Sequence, residues 1–188
     1  DAAGIRTRCF EKGEGKPVIL LHGSGGHAET WVRNLIPLSA KFRVLAIDYL
    51  GHGYTDKPKV DYDLAAFSKH LLDFMDAAEI KKAHLVGESQ RGQISVLTAY
   101  EQPERVDKRG LIVGGIPSNE HGYLSGLNQL QELTRDATGT PTRETIRKRM
   151  EWLFHDPQVL PDELVDHCTT AESCGARYQE HGISLSRY

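Results

Sequence analysis

Cysteine is scarce and odd in number: Cys9, Cys168 and Cys174 are the three in 188 residues. So sparse a set builds no disulfide framework and has no metal-site spacing. Free thiols in a reducing, cytoplasmic compartment are therefore expected. No apolar run approaches the ~20 residues that a membrane span needs, and residues 1–12 hold no stretch of the signal-peptide kind. The first residue is Asp and not Met, so the extreme N-terminus is expected to be missing or removed. Lysine and arginine form no block and the formal net charge is −3 at pH 7, which argues against nucleic acid or an anionic membrane as a partner. No repeat period is evident. Neither Gly-x-x-x-x-Gly-Lys-Ser/Thr nor Gly-x-Gly-x-x-Gly with its distant acid is present, so the usual grounds for nucleotide binding are missing.

What is present is an ordinary globular composition, 39% hydrophobic and 26% charged, in a length that suits one domain with a core and an inserted lid. The chain turns on His84-Leu-Val-Gly-Glu-Ser-Gln-Arg-Gly92. The apolar run Ala83 to Val86 reads as a buried strand, and beyond Ser89 the apolar spacing becomes helical, with Ile94, Leu97 and Thr98 at i, i+3 and i+4. Ser89 therefore stands at a strand-to-helix corner. A tight turn there exposes the hydroxyl, and the N-terminus of the following helix faces a reacting carbonyl. The Gly-x-Ser-x-Gly pattern is displaced: its second glycine comes one place late, at Gly92. Arg91 takes the place of a small residue where strand and helix crowd, and its side chain is expected to swing outward or to loosen the turn.

Upstream, residues 5–11 alternate as a first strand. Pro17 to Leu21 is a continuous apolar run too short for a helix, and reads as a central parallel strand buried on both faces. His22-Gly-Ser-Gly-Gly26 follows at once. Glycines at a strand's carboxyl end let backbone N–H groups approach a ligand, and in a serine hydrolase one oxyanion donor comes from here and the other from the residue after the nucleophile. These donors are assigned to Ser24 and Gln90, with Gly25 and Glu88 as substrate-pocket candidates beside them.

Trp31, Leu35 and Leu38 mark a helix, and Phe42 to Ile47 the next strand. Asp48 and His52, in the turn-rich loop that follows, form a tempting acid–base pair, but Asp48 is read as capping its own loop. Asp63 caps a helix carrying Leu64, Phe67, Leu71, Leu72 and Met75. His70 is expected to be solvated, and Lys81-Lys82 to close that helix favourably for its dipole. Leu111 to Val113 reads as a further buried strand, closed by Gly114-Gly115.

Strands alternating with helices predict an α/β fold: a doubly wound, mostly parallel sheet whose ligand sits at the strands' carboxyl ends. That alternation stops near Ile116. Residues 1–116 are read as the core and 117–188 as a helical cap, or lid, over the ligand edge. Within it Pro141 and Pro161 are expected to start helices. Ile146, Met150, Leu153 and Phe154 share one face, with Trp152 to the side.

The chain resembles the N-terminal two-thirds of an α/β-hydrolase. Within that superfamily it is similar to the meta-cleavage-product hydrolases, which break a carbon–carbon bond in ring-fission products of aromatic catabolism. The resemblance lies in Gly13 to Gly26, Asp48 to Gly53, Leu85 to Gln90, Pro141 to Glu144 and His155 to Pro157. Glu88 and Cys168 stand where that branch is expected to carry asparagine and a substrate-gripping arginine, which leaves a carboxylic ester open as substrate. The resemblance implies a Ser, acid, His order with the last two beyond the cap. The sequence stops at Tyr188 with roughly 60–90 residues of strand–helix units unaccounted for. Without a base the Ser89 hydroxyl is a poor nucleophile. Glu120 is a substitute acid to consider, and His155 and His121 are substitute bases. No metal or organic cofactor is required, the partner is a small apolar carbonyl compound, and homo-oligomerisation is left open. The alternative is a non-catalytic protein of the same fold that binds a small apolar ligand. A dehalogenase or epoxide hydrolase would need Asp where Ser89 stands.

Overall fold

A computed structural model of the chain describes residues 1–112, 132–133, 135–137, 139–154 and 156–175. Its sheet follows from the apolar runs. β1 (Cys9–Lys12), β2 (Pro17–Leu21), β3 (Arg43–Ile47), β4 (Ala83–Glu88) and β5 (Val106–Ile112) lie in the order β1-β3-β2-β4-β5. The run Pro17–Leu21 becomes the central strand, parallel to β3 on one side and to β4 on the other. Buried on both faces, its residues Val18 to Leu21 keep at most 5% exposure. β1 is the antiparallel edge strand, with Cys9 opposite Ile47.

One face of the sheet presents Val18, Leu20, Val44 and Ala46. It is covered by Ala28 and Trp31 of a short 3-10 turn and by Leu35 and Leu38 of α1 (Val32–Ser39). The other face presents Ile19, Leu21, Leu45, Ile47 and Leu85, all buried. There α3 (Gln90–Glu101) lies against β4 and β5, and α2 (Leu64–Ala77) lies against α3. A hydrogen bond of 2.9 Å between Ser68 Oγ and Thr98 Oγ1 joins the two helices. The Asp63 carboxylate caps α2 by accepting the Ala66 N–H at 2.8 Å.

Several expectations are corrected. α2 ends at Ala77 and the chain turns through Glu79 at φ 56°, so Lys81 and Lys82 fall in the connection before β4 and do not close the helix. The strand expected at residues 111–113 begins five residues earlier, at Val106. As an edge strand among the described elements it leaves Leu111 and Ile112 46% and 42% exposed, not buried. Val113, Gly114 and Gly115 lie outside the described residues.

The chain divides into two compact units, Asp1–Ile116 and Pro117–Tyr188. In the second, α4 (Arg143–Leu153) and α5 (Asp162–Gly175) are joined by Arg143, which bonds Asp162 at 2.8 Å and Asp166 at 2.5 Å. Ile146, Met150, Leu160 and Val165 make its small core, with Phe154, Leu164 and Cys168 partly buried against them. Leu153, expected on the same face, is 47% exposed. α4 starts at Arg143 and not at Pro141, because Thr142 and Thr145 form a reciprocal capping box one residue further on. Cys9 and Cys168 are free thiols. No helix among the described residues is long and apolar enough to cross a membrane.

Candidate active site

The connection from β2 leads through α1 to β3 on one side, while the connection from β4 leads through α3 to β5 on the other. The topological switch point of the sheet therefore lies between the carboxyl ends of β2 and β4. In open α/β sheets that is where a crevice for ligand forms. The loop Gly23–Gly26 leaves β2 there and Ser89 leaves β4 there. The two meet: a Cβ built on Gly23 would stand 3.4 Å from Ser89 Cβ and 3.5 Å from Glu88 Cδ.

Ser89 has φ 54° and ψ −128°, a backbone state that L-residues rarely adopt. Such strain costs about 1–3 kcal/mol and persists only where surrounding contacts impose it. Two backbone hydrogen bonds impose it here. The Ser89 N–H donates to Ile112 C=O at 2.9 Å, extending the β4–β5 ladder, and its own carbonyl accepts the Gly92 N–H at 3.0 Å. Gly87 completes the corner, since a Cβ there would lie 2.5 Å from the Arg91 carbonyl oxygen. The crowding of strand against helix thus falls on Gly87 and on the backbone of residues 91 and 92. Ser89 is half-buried, and its Oγ makes no hydrogen bond to any other described residue.

Gly23, Ser24, Gly25 and Gly26 form one turn, closed by Gly26 N–H to Gly23 C=O at 3.0 Å, with Gly25 at φ 66°. Ser24 and Gly25 are half-buried in it. The Gly23 N–H donates to Glu88 Oε2 at 3.3 Å. Gln90 is the first residue of α3, where backbone amides are not yet used by the helix. The structure thus brings Ser24, Gly25, Glu88, Ser89 and Gln90 to one sheet edge.

Arg91 neither swings outward nor loosens the turn. It runs inward and is 1% exposed, with its guanidinium 4.3 Å from the Phe67 ring centre and 5.2 Å from that of Tyr49. Nη2 donates to His52 Nε2 at 3.1 Å. Because a guanidinium can only donate, Nε2 accepts and His52 is neutral, with its proton on Nδ1 and donated to Leu50 C=O at 3.0 Å. Burial and then the Arg91 charge hold this imidazole well below its ordinary pKa. Asp48 and His52 are therefore not a catalytic pair. Asp48 Oδ2 accepts the Tyr54 N–H at 2.8 Å, as a loop cap does, and Oδ1 accepts the Ala28 N–H at 2.7 Å. Arg8 supplies the counter-charge, with Nε 2.6 Å from Asp48 Oδ2 and its far end on Glu29. Burial would raise the Glu29 carboxyl, but hydrogen bonds from His27 and Arg8 outweigh it and hold the group well below the usual range.

Two buried histidines were not legible as site supports. His22 lies between Gly23 C=O, 2.8 Å from Nδ1, and Tyr49 N–H, 3.2 Å from Nε2. Burial and then Arg91 depress it strongly. His70, expected in solvent, is 3% exposed. It accepts the Leu50 N–H at Nδ1 and meets Thr7 Oγ1 at 2.9 Å from Nε2, and burial lowers its pKa to about 4. The signal that could have placed it was its spacing: three residues after Phe67 and four before Phe74, on the apolar stripe. Glu120, His121 and His155, the substitute acid and bases, lie outside the described residues.

A profile described as the alpha/beta hydrolase fold matches residues 16–154. The chain is 32% identical over 169 residues to a 2-hydroxy-6-oxo-2,4-heptadienoate hydrolase of Pseudomonas putida, covering 88% of this chain and 58% of that protein. It is 44% identical over 198 residues to a 2-hydroxy-6-oxo-6-(2'-aminophenyl)hexa-2,4-dienoic acid hydrolase of Metapseudomonas resinovorans, covering 85% of this chain and 68% of that protein. A solved meta-cleavage product hydrolase from Pseudomonas fluorescens superposes with a TM-score of 0.80 at 35% identity, covering 98% of this chain and 66% of that one.

Proposed function

The chain belongs to the alpha/beta hydrolase fold family, and on that premise we propose that it carries the nucleophile side of a serine hydrolase acting on a small apolar carbonyl compound in the cytoplasm. The substrate is a carbon–carbon bond in a ring-cleavage product of aromatic catabolism, or a carboxylic ester. Ser89 Oγ attacks the carbonyl carbon and the C–O double bond becomes an oxyanion, which accepts hydrogen bonds from the backbone N–H groups of Ser24 and Gln90. In the carbon–carbon case the same donors first polarise the ketone. The oxyanion collapses, the bond to the leaving group breaks, and water later hydrolyses the acyl-enzyme. A histidine outside the described residues moves the protons.

The observation that carries this reading is the strained Ser89, φ 54°, at the switch point and against the glycine turn. A fluorophosphonate tests it: mass spectrometry should find the adduct on Ser89 and none in Ser89→Ala. A second reading, ligand binding without catalysis, draws on Arg91 in the elbow and on an Oγ without a hydrogen-bond partner among the described residues. It gains if no dose labels a folded chain while a small apolar ligand raises its melting temperature.

A further inference from the structure

We propose that Glu88 sets the charge preference of this site. It turns away substrates that carry a carboxylate beside the reacting carbonyl, and accepts an acyl group that is uncharged or bears an ammonium or N–H donor. The inference rests on the reading of Ser89 as the nucleophile.

Glu88 is the last residue of β4 and directly precedes Ser89. Its side chain does not leave the site. Oε2 takes the Gly23 N–H at 3.3 Å, and Cδ and Ser89 Cβ both stand in van der Waals reach of the same point above Gly23. A carboxylate is thus fixed at the meeting of the glycine turn and the nucleophile corner, and it is only partly covered. Two things follow. Gly23 N–H is already used, so it is not a donor for an oxyanion. And any anionic group that a substrate brings beside its carbonyl meets a fixed negative charge a few ångströms away, where repulsion at the effective dielectric of a partly buried site amounts to about tenfold or more in rate. An ammonium or amide N–H gains from the same charge.

A purely structural role for Glu88 is separable from this one. Glutamine keeps an oxygen that can accept the Gly23 N–H while losing the charge, so Glu88→Gln preserves the latch and removes the discrimination.

The test uses three fluorophosphonates of matched length, ending close to phosphorus in a carboxylate, a carboxamide or a trimethylammonium group. In each the Ser89 Oγ–P bond forms, the P–F bond breaks, fluoride leaves and the hydroxyl proton passes to solvent or to a base. Labelling rates at Ser89 are divided by each probe's hydrolysis rate in buffer. The carboxylate probe should label about tenfold or more slowly than the carboxamide at low salt. The gap should narrow at about 0.5 M salt, where screening shortens to a few ångströms, and approach one in Glu88→Gln. Equal labelling by carboxylate and carboxamide, or an unchanged gap in a folded Glu88→Gln protein, overturns the proposal. Failure of all three probes on folded protein instead removes the nucleophile reading, and this inference with it. The carboxamide probe tells the two failures apart.

Discussion

Arg91 Nη2 stands 3.1 Å from His52 Nε2, so the first turn of the helix after the nucleophile is bonded to the loop that follows β3. The side chain that breaks the elbow pattern is therefore part of the interior, with its guanidinium over Phe67 and Tyr49.

Replacing it tests that placement. Arg91→Met keeps the bulk, removes the donor to His52 and removes the cation over the rings. A loss of about 1–3 kcal/mol in denaturant unfolding is expected, from the unsatisfied acceptor on His52 and the lost cation–π contacts with Phe67 and Tyr49. The same variant should raise the imidazole pKa of His22 and of His52, since the Arg91 charge depresses both. Histidine titration by NMR reads this directly, and unmoved pKa values would place the guanidinium elsewhere.

The strain at Ser89 gives a second outcome, in which stability and reactivity move in opposite directions. Glycine adopts φ 54° without a side-chain clash. Ser89→Gly should be more stable than Ser89→Ala by about 1 kcal/mol, the strain relieved less the added unfolded-state entropy. Neither variant should take up a fluorophosphonate. If alanine proves the more stable of the two, the corner is not strained in solution.

The third outcome concerns acid. An unfolded imidazole titrates near 6.5, while folded His70 titrates at about 4. The folded chain excludes a proton that the unfolded chain accepts. Stability from this group is therefore whole above pH 6.5 and declines as pH falls toward 4, by about 1.4 kcal/mol per unit and about 3 kcal/mol in all. His22 and His52 are depressed in the same sense and extend the decline. Urea unfolding of wild type and of His70→Gln between pH 7.5 and 4 checks it. The variant should show the shallower slope, and parallel slopes would mean that the ring is not buried neutral.

How much of this was legible beforehand depended on whether a residue's role was local. Pro17 to Leu21 announces a central strand because a run that short has only one way to bury both faces. Ser89 announces a corner because apolar periodicity changes on either side of it. Asp63 announces a cap because the bond it makes is three residues long. His22 and Arg91 gave no such notice, and the spacing of His70 spoke only of its burial and not of its partners. Their partners, Tyr49, Leu50, Thr7 and His52, are twenty or more residues distant, and only the folded sheet edge brings them together. The exposure of Leu111 and Ile112 was misread for a related reason: composition shows that a strand is apolar, but not whether a neighbour covers it.

That last strand has a practical consequence. An edge with greasy residues on both sides is a template for pairing with another chain. In β5 the half that precedes Leu111 reads Asp107-Lys-Arg-Gly110, with three adjacent exposed charges. β5 is such an edge among the described residues, and there those charges would oppose pairing with another chain. Neutralising Lys108 and Arg109 would be the quickest way to make preparations of this chain turn cloudy.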